Sequence, residues 1–298
     1  MATTTARPEQ SEKPEKRTAL TERIGELEAL DPYADLLQGA GRAIRGASPK
    51  LQDLLTGTWL GHPLHPPLTD VVVGAWTSSL VLDVAGGRRA RRAADLLVGL
   101  GVVAAAPTAL AGLVDAADLQ GPTRRVAVVH ALGNTTALAL YGLSWLARSD
   151  GHRGTGRALS MLGFGVATGS AWLGGHLSFR KGVGVDQTAF EPLPTKWTAV
   201  LDQDELEEDT LGHASAGAAD VVLVRKGRKV YALADRCSHR GCPLHEGKLE
   251  EDVIVCSCHG STFALDGSIV RGPATAPQPA LEARVRTGKI EVRVPPSA

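Results

Sequence analysis

Between residues 68 and 179 the chain alternates long apolar stretches with short polar ones, and beyond residue 180 this rhythm stops. Four stretches, at about 68–84, 94–114, 126–147 and 158–179, each approach the ~20 residues that cross a bilayer as a helix. The breaks between them, GGRRARR at 86–92, DAADLQGPTRR at 115–125 and RSDGHRGTGR at 148–157, carry the charges and glycines of chain reversals. An up-down four-helix bundle is predicted over residues 56–180. Its Gly, Ala, Ser and Thr let helix backbones approach closely in lipid. A soluble bundle is the alternative, but it needs a polar stripe on every helix, and these stretches show little of one.

After residue 180 the pattern becomes short runs rich in β-branched residues, among them LVRKGRKVYAL, STFALDGSIV and KIEVRV, bounded by Gly, Pro and Asp. They predict a small all-β domain over 190–296. A linker at 181–189, inside RKGVGVDQTAFEPLPTK, has the Gly and Pro content that would let this domain swing. Residues 1–55 read as a polar leader, with a disordered tail to about residue 17 and one short amphipathic helix over 20–30. The fold class is therefore multi-domain: an N-terminal all-α transmembrane four-helix bundle followed by a C-terminal all-β domain.

The 298 residues suffice for two cores, and the formal net charge of zero disfavours a nucleic-acid partner. The first 30 residues lack the apolar core of a secretory signal. All four cysteines lie between 237 and 258, too tightly for a distributed disulfide framework, so a local metal site is expected. Cys237-Ser-His239 and Cys256-Ser-Cys-His259 offer two thiolates and two imidazoles from two loops. That set matches mixed ligation of a 2Fe-2S cluster, with the thiolates on one iron and the imidazoles on the other. A zinc site of two Cys and two His is the alternative, although zinc modules space their paired cysteines by two to four residues.

The boxes CSHRGCPLH and CSCHGSTF resemble those of the Rieske family, and the resemblance covers about the last hundred residues. It implies a Rieske 2Fe-2S cluster on Cys237, His239, Cys256 and His259, and one-electron transfer. It also implies a Cys242–Cys258 disulfide, as in the Rieske proteins of cytochrome bc complexes. Around the ligands, Gly260 and Ser261 match the second box, while Phe263 stands where the bc-type proteins have a tyrosine whose hydroxyl bonds a sulfur. A potential below the bc type is therefore expected. Gly272 and Pro273 resemble the loop that covers the cluster, and His245 reads as a loop histidine outside the ligand set. In the family the ligand imidazoles lie near the surface, where a quinol-like donor docks and transfer is coupled to protons.

Ahead of the first span, GHPLHPPLTD, with His62, His65 and Asp70, resembles an uncharacterised family of bacterial four-helix membrane domains of unknown function. In an up-down bundle His62, His65, His130 and His176 all fall on the face from which the β domain emerges. Ionisable groups at membrane depth are costly, which makes these histidines a candidate haem or quinone site; the alternative is that they cap helices or bond between them. Arg88, Arg89, Arg91, Arg92, Arg148, Arg153 and Arg157 outnumber Arg124 and Arg125 in the only short loop opposite, which points the β domain out of the cytoplasm; a polar leader without an export signal and a cofactor assembled inside the cell point the other way. The leading function is one-electron transfer at the cell membrane between a quinol, haem or flavin donor and an acceptor the sequence does not name, with a redox partner protein or quinol as the expected partner. A redox sensor is the second reading. An oxygenase is not expected, because about forty residues follow His259 where a second iron domain would be needed.

Overall fold

The computed structural model describes residues 16–296, so the disordered tail expected at the N-terminus lies outside the described residues except at its last two positions. Seven α-helices come first: α1 (Lys16–Glu26), α2 (Asp31–Gly46), α3 (Pro49–Thr56), α4 (His65–Ala85), α5 (Arg91–Ala116), α6 (Gly121–Ser149) and α7 (Arg153–Gly175). Helices α4 to α7 form the bundle as two antiparallel hairpins, α4–α5 and α6–α7. Their interior is built from small residues, Ala94, Ala105, Ala111 and Ala137, around Trp76 and Tyr141. Val71, Val81, Leu96, Val103, Leu132, Leu143 and Leu162 instead face outward, which is the polarity lipid demands. Helices α4, α5 and α6 are long and apolar enough to cross a membrane; α7 has the length, but its Gly, Ser and Thr content leaves it less apolar.

The polar leader requires correction. Beyond the expected helix, α2 and α3 are also helical, and α2 packs on α5 and α6. Its inward stripe is Ala34, Gln38 and Gly41, and the work is done by polar atoms. Gln38 donates to the carbonyls of Ala116 and Leu119, and Arg42 donates to that of Ala117 at 3.0 Å, so α2 caps the C-terminal end of α5. Asp31 accepts from Arg125, and Asp35 from Arg124. At the bundle's other end Arg148 and Asp83 form a buried ion pair that Asp95 and Arg153 extend.

The C-terminal domain has ten strands: β1 (Thr198–Asp202), β2 (Gly212–Ala216), β3 (Ala219–Lys226), β4 (Lys229–Ala234), β5 (Lys248–Glu250), β6 (Val253–Val255), β7 (Thr262–Ala264), β8 (Ile269–Arg271), β9 (Ala280–Arg286) and β10 (Lys289–Arg293). They make a six-stranded sheet in the order β1-β10-β9-β4-β3-β2 and a four-stranded sheet β5-β6-β7-β8. Strand β3 is apolar on both faces because it serves two cores. Val222 and Val224 face the small sheet with Leu233, Ile254 and Phe263, while Val221 and Leu223 join Ile290 and Val292 behind.

Candidate metal centre

Two loops carry the expected ligands, one after β4 and one between β6 and β7, and both fold the same way. The Cys237 carbonyl accepts from the Gly241 amide and the Cys237 amide donates to the Cys242 carbonyl. Likewise the Cys256 carbonyl accepts from Gly260 and its amide donates to Ser261. Each loop closes on a glycine at positive φ, 73° at Gly241 and 80° at Gly260, where a side chain would be strained. A disulfide joins Cys242 to Cys258 across the two loops.

Cys237 and Cys256 are buried in the core beside Phe263 and remain free thiols. The neighbouring Cys256 sulfur pushes the Cys237 thiol up, and Cys237 in turn draws the Cys256 thiol down. On the outer side the rings of His239 and His259 stand edge to face, 5.0 Å between centroids. Burial pushes His239 down to about 3 and lowers His259 as well, so both imidazoles are neutral, the form a metal requires. His239 Nδ1 is buried and has no hydrogen-bond partner. Two buried thiols and two neutral imidazoles carried on the paired loops, one imidazole with an orphaned nitrogen, fit a two-iron cluster in their donor types.

Residues 196–287 match the family model of the Rieske 2Fe-2S domain, and residues 61–187 match that of a predicted membrane protein, DUF2231. Ferredoxin CarAc of Metapseudomonas resinovorans is 33% identical over 98 residues, covering 32% of this chain and 92% of that protein. The chain belongs to the Rieske family. The iron-sulfur subunit of the cytochrome b6-f complex of Chlorobaculum tepidum is 34% identical over 74 residues, 25% of this chain and 40% of that protein. Among solved structures, a chain of the complex of reduced oxygenase and oxidised ferredoxin in carbazole 1,9a-dioxygenase is 32% identical. It covers 33% of this chain and 92% of that chain, with a TM-score of 0.31. The Rieske 2Fe-2S domain is thus fused to an N-terminal helical domain of the predicted membrane type.

The residues around the candidate ligands have definite partners. The Ser261 hydroxyl accepts from the Ala274 amide at 3.0 Å, tying the Gly272–Pro273 segment to the second loop. That segment is in turn clamped by the helical domain. Asp53 accepts from the Gly272 amide at 2.9 Å, Gln52 donates to the Gly272 carbonyl at 2.6 Å, and Thr58 donates to the Ala274 carbonyl at 3.1 Å. The linker is fastened as well, Gln187 donating through its amide to the Ser238 carbonyl. The head expected to swing is docked here.

Sequence reasoning also missed Asp118, between α5 and α6. Its carboxylate and the ring nitrogens of His239 and His259 all lie within 4.8 Å of one another. Burial works to raise this carboxyl, but the paired Arg45 guanidinium overrides it and holds the group below its ordinary value. An open cleft of about 350 Å³ beside His259 is lined by Gln38, Arg42, Asp118 and Arg124. His245, a loop histidine as expected, bonds Asp235 at 2.8 Å and lies against His213. In the bundle, His65 bonds the Thr108 carbonyl and His130 the Ser170 carbonyl. His62 is exposed and bonds its neighbour Pro63, Asp70 is exposed, and His176 begins a π-helical turn with its Nε2 unpartnered.

Proposed function

We propose that the chain is a membrane-anchored electron carrier whose Rieske head holds its cluster through Cys237 and Cys256 on one iron and His239 and His259 on the other. The observation that carries this reading is the buried, unpartnered Nδ1 of His239 beside His259, on loops that also carry two buried cysteines outside the disulfide. A cluster so held supplies reversible one-electron transfer. The thiols lie in the core while the imidazoles face the helical domain at Asp118, which favours electron passage through the histidine edge toward the bundle. Rieske relatives transfer electrons to redox partner proteins, and a quinol, haem or flavin donor with a protein acceptor suits this head. The Cys242–Cys258 bridge keeps the two ligand loops in register. Over the short loops between the spans, Arg88, Arg89, Arg91, Arg92, Arg148, Arg153 and Arg157 outnumber Arg124 and Arg125, and on that count we propose the head on the non-cytoplasmic face.

Iron and acid-labile sulfide analysis with a redox titration of the full chain in detergent tests the reading. Equal iron and sulfide with a one-electron wave are expected, and the wave should vanish in His239→Ala. A zinc-loaded protein without sulfide would overturn it.

A further inference from the structure

The two hairpins of the bundle repeat one set of contacts. In the first, His65 on α4 lies with Nδ1 2.9 Å from the Thr108 carbonyl on α5. Ser79, about four turns further along α4, donates to the Ala94 carbonyl at 3.0 Å. In the second, His130 on α6 lies with Nδ1 2.8 Å from the Ser170 carbonyl on α7. Ser144, about four turns further along α6, donates to the Gly156 carbonyl at 2.6 Å. Glycines recur at the matching places. A methyl group on Gly112 would stand 2.9 Å from His65 Cε1, and one on Gly174 would stand 3.0 Å from His130 Cε1. Gly101 backs Trp76 just as Gly163 backs Tyr141.

The matched residues meet across the bundle axis. Trp76 stacks on Tyr141 with centroids 3.9 Å apart and planes 6° from parallel, and Asp83 pairs with Arg148. Val72 and Ala137 share the core with that aromatic pair. On α4 these positions, preceded by His65, form one stripe at helical spacing, and on α6 His130 precedes the same stripe. Because the stripes touch each other at the aromatic pair and at the ion pair, His65 and His130 hold matching places on them, at the end of the bundle nearest the head.

A backbone carbonyl only accepts, so Nδ1 of each ring carries the proton and each Nε2 carries a lone pair. That is the arrangement of metal-ligating histidines, whose other nitrogen is fixed by a carbonyl or carboxylate. His65 Nε2 has no hydrogen bond among the described residues; His130 Nε2 accepts from Asn134 at 3.0 Å, a bond that uses the same lone pair. No further His, Cys or carboxylate closes a metal-ligand cluster with either ring among the described residues, so zinc, which takes four ligands, is poorly served. A haem iron brings four nitrogens of its own and lacks only axial ligands.

We propose that His65 and His130 are the two axial ligands of a haem held between the hairpins, a second redox centre on the head's side of the bundle. The full chain, expressed with a haem precursor and purified in detergent, gives the test. A Soret band, a low-spin ferric EPR signal and one b-type haem per chain by pyridine haemochrome are expected. His65→Gly and His130→Gly should each lose the low-spin signal and added imidazole should restore it, a rescue that a merely misfolded bundle cannot show. His62→Ala should leave the spectrum unchanged. Protein that carries no haem, that retains a quinone in its place, or that keeps the low-spin signal in both glycine variants would overturn the proposal. The cluster's EPR signal is read in the same samples, so failure here is distinct from failure of the head's assignment.

Discussion

In the head, His239 and His259 sit in two loops of one local shape that a disulfide binds together; in the bundle, His65 and His130 stand in regular helices of two repeated hairpins. The loops fix their imidazoles by covalent closure and glycine turns. The hairpins fix theirs by one hydrogen bond each to a carbonyl on the neighbouring helix and by the absence of a side chain at Gly112 and Gly174. The two regions are therefore vulnerable in different ways: the head through its sulfur chemistry, the bundle through the pairs that hold its two halves in register. In between, Asp118 and α2 bring the two histidine sets to the same side of the membrane domain.

The largest effect is expected at the thiols. Cys237→Ala should abolish the cluster's visible absorption and EPR signal completely while leaving the helical content seen by circular dichroism. Next comes the buried ion pair. Arg148→Met leaves Asp83 buried beside only the partly exposed Arg153 and should cost about 3–5 kcal/mol in bundle stability, read as a lowered melting midpoint in detergent. Asp83→Leu combined with Arg148→Met should recover much of that loss. Removing the bridge with Cys242→Ser and Cys258→Ser should cost about 3 kcal/mol, with the head melting earlier and the bundle unchanged.

Smaller effects sharpen the account of the potential. Phe263 is fully buried beside both thiols, so Phe263→Tyr, if its hydroxyl reaches a sulfur, should raise the midpoint; no rise in a titration would count against the sequence expectation. The smallest effect concerns Asp31, whose carboxyl the Arg125 hydrogen bond lowers from 3.8 to about 2. A depressed carboxyl contributes stability above its unfolded value and loses it as pH falls through the folded one. Asp31→Asn should therefore destabilise the contact between α2 and α6 at pH 7, and the difference from the parent should shrink as pH falls from about 4 toward 2.

Much of this was legible in the sequence. The apolar spans, the β-rich end and the two Cys-His boxes were visible because each depends on local spacing. The leader's packing was not, because α2 docks through Gln38, Arg42 and Arg45 onto the end of α5, and polar residues in a charged segment read as solvated. Asp118, Gln52, Asp53 and Thr58 were invisible for a related reason, since their partners lie far along the chain. The hairpin repeat escaped because its matched residues differ in type, Trp76 with Tyr141 and Asp83 with Arg148, so that only their contacts reveal the equivalence.

The proposed two-iron cluster on two thiols and two imidazoles of the head is put to its most direct test by low-temperature EPR of the dithionite-reduced, detergent-purified chain. A rhombic signal with the low average g of imidazole-ligated clusters is predicted. An EPR-silent protein containing zinc in place of iron would contradict it.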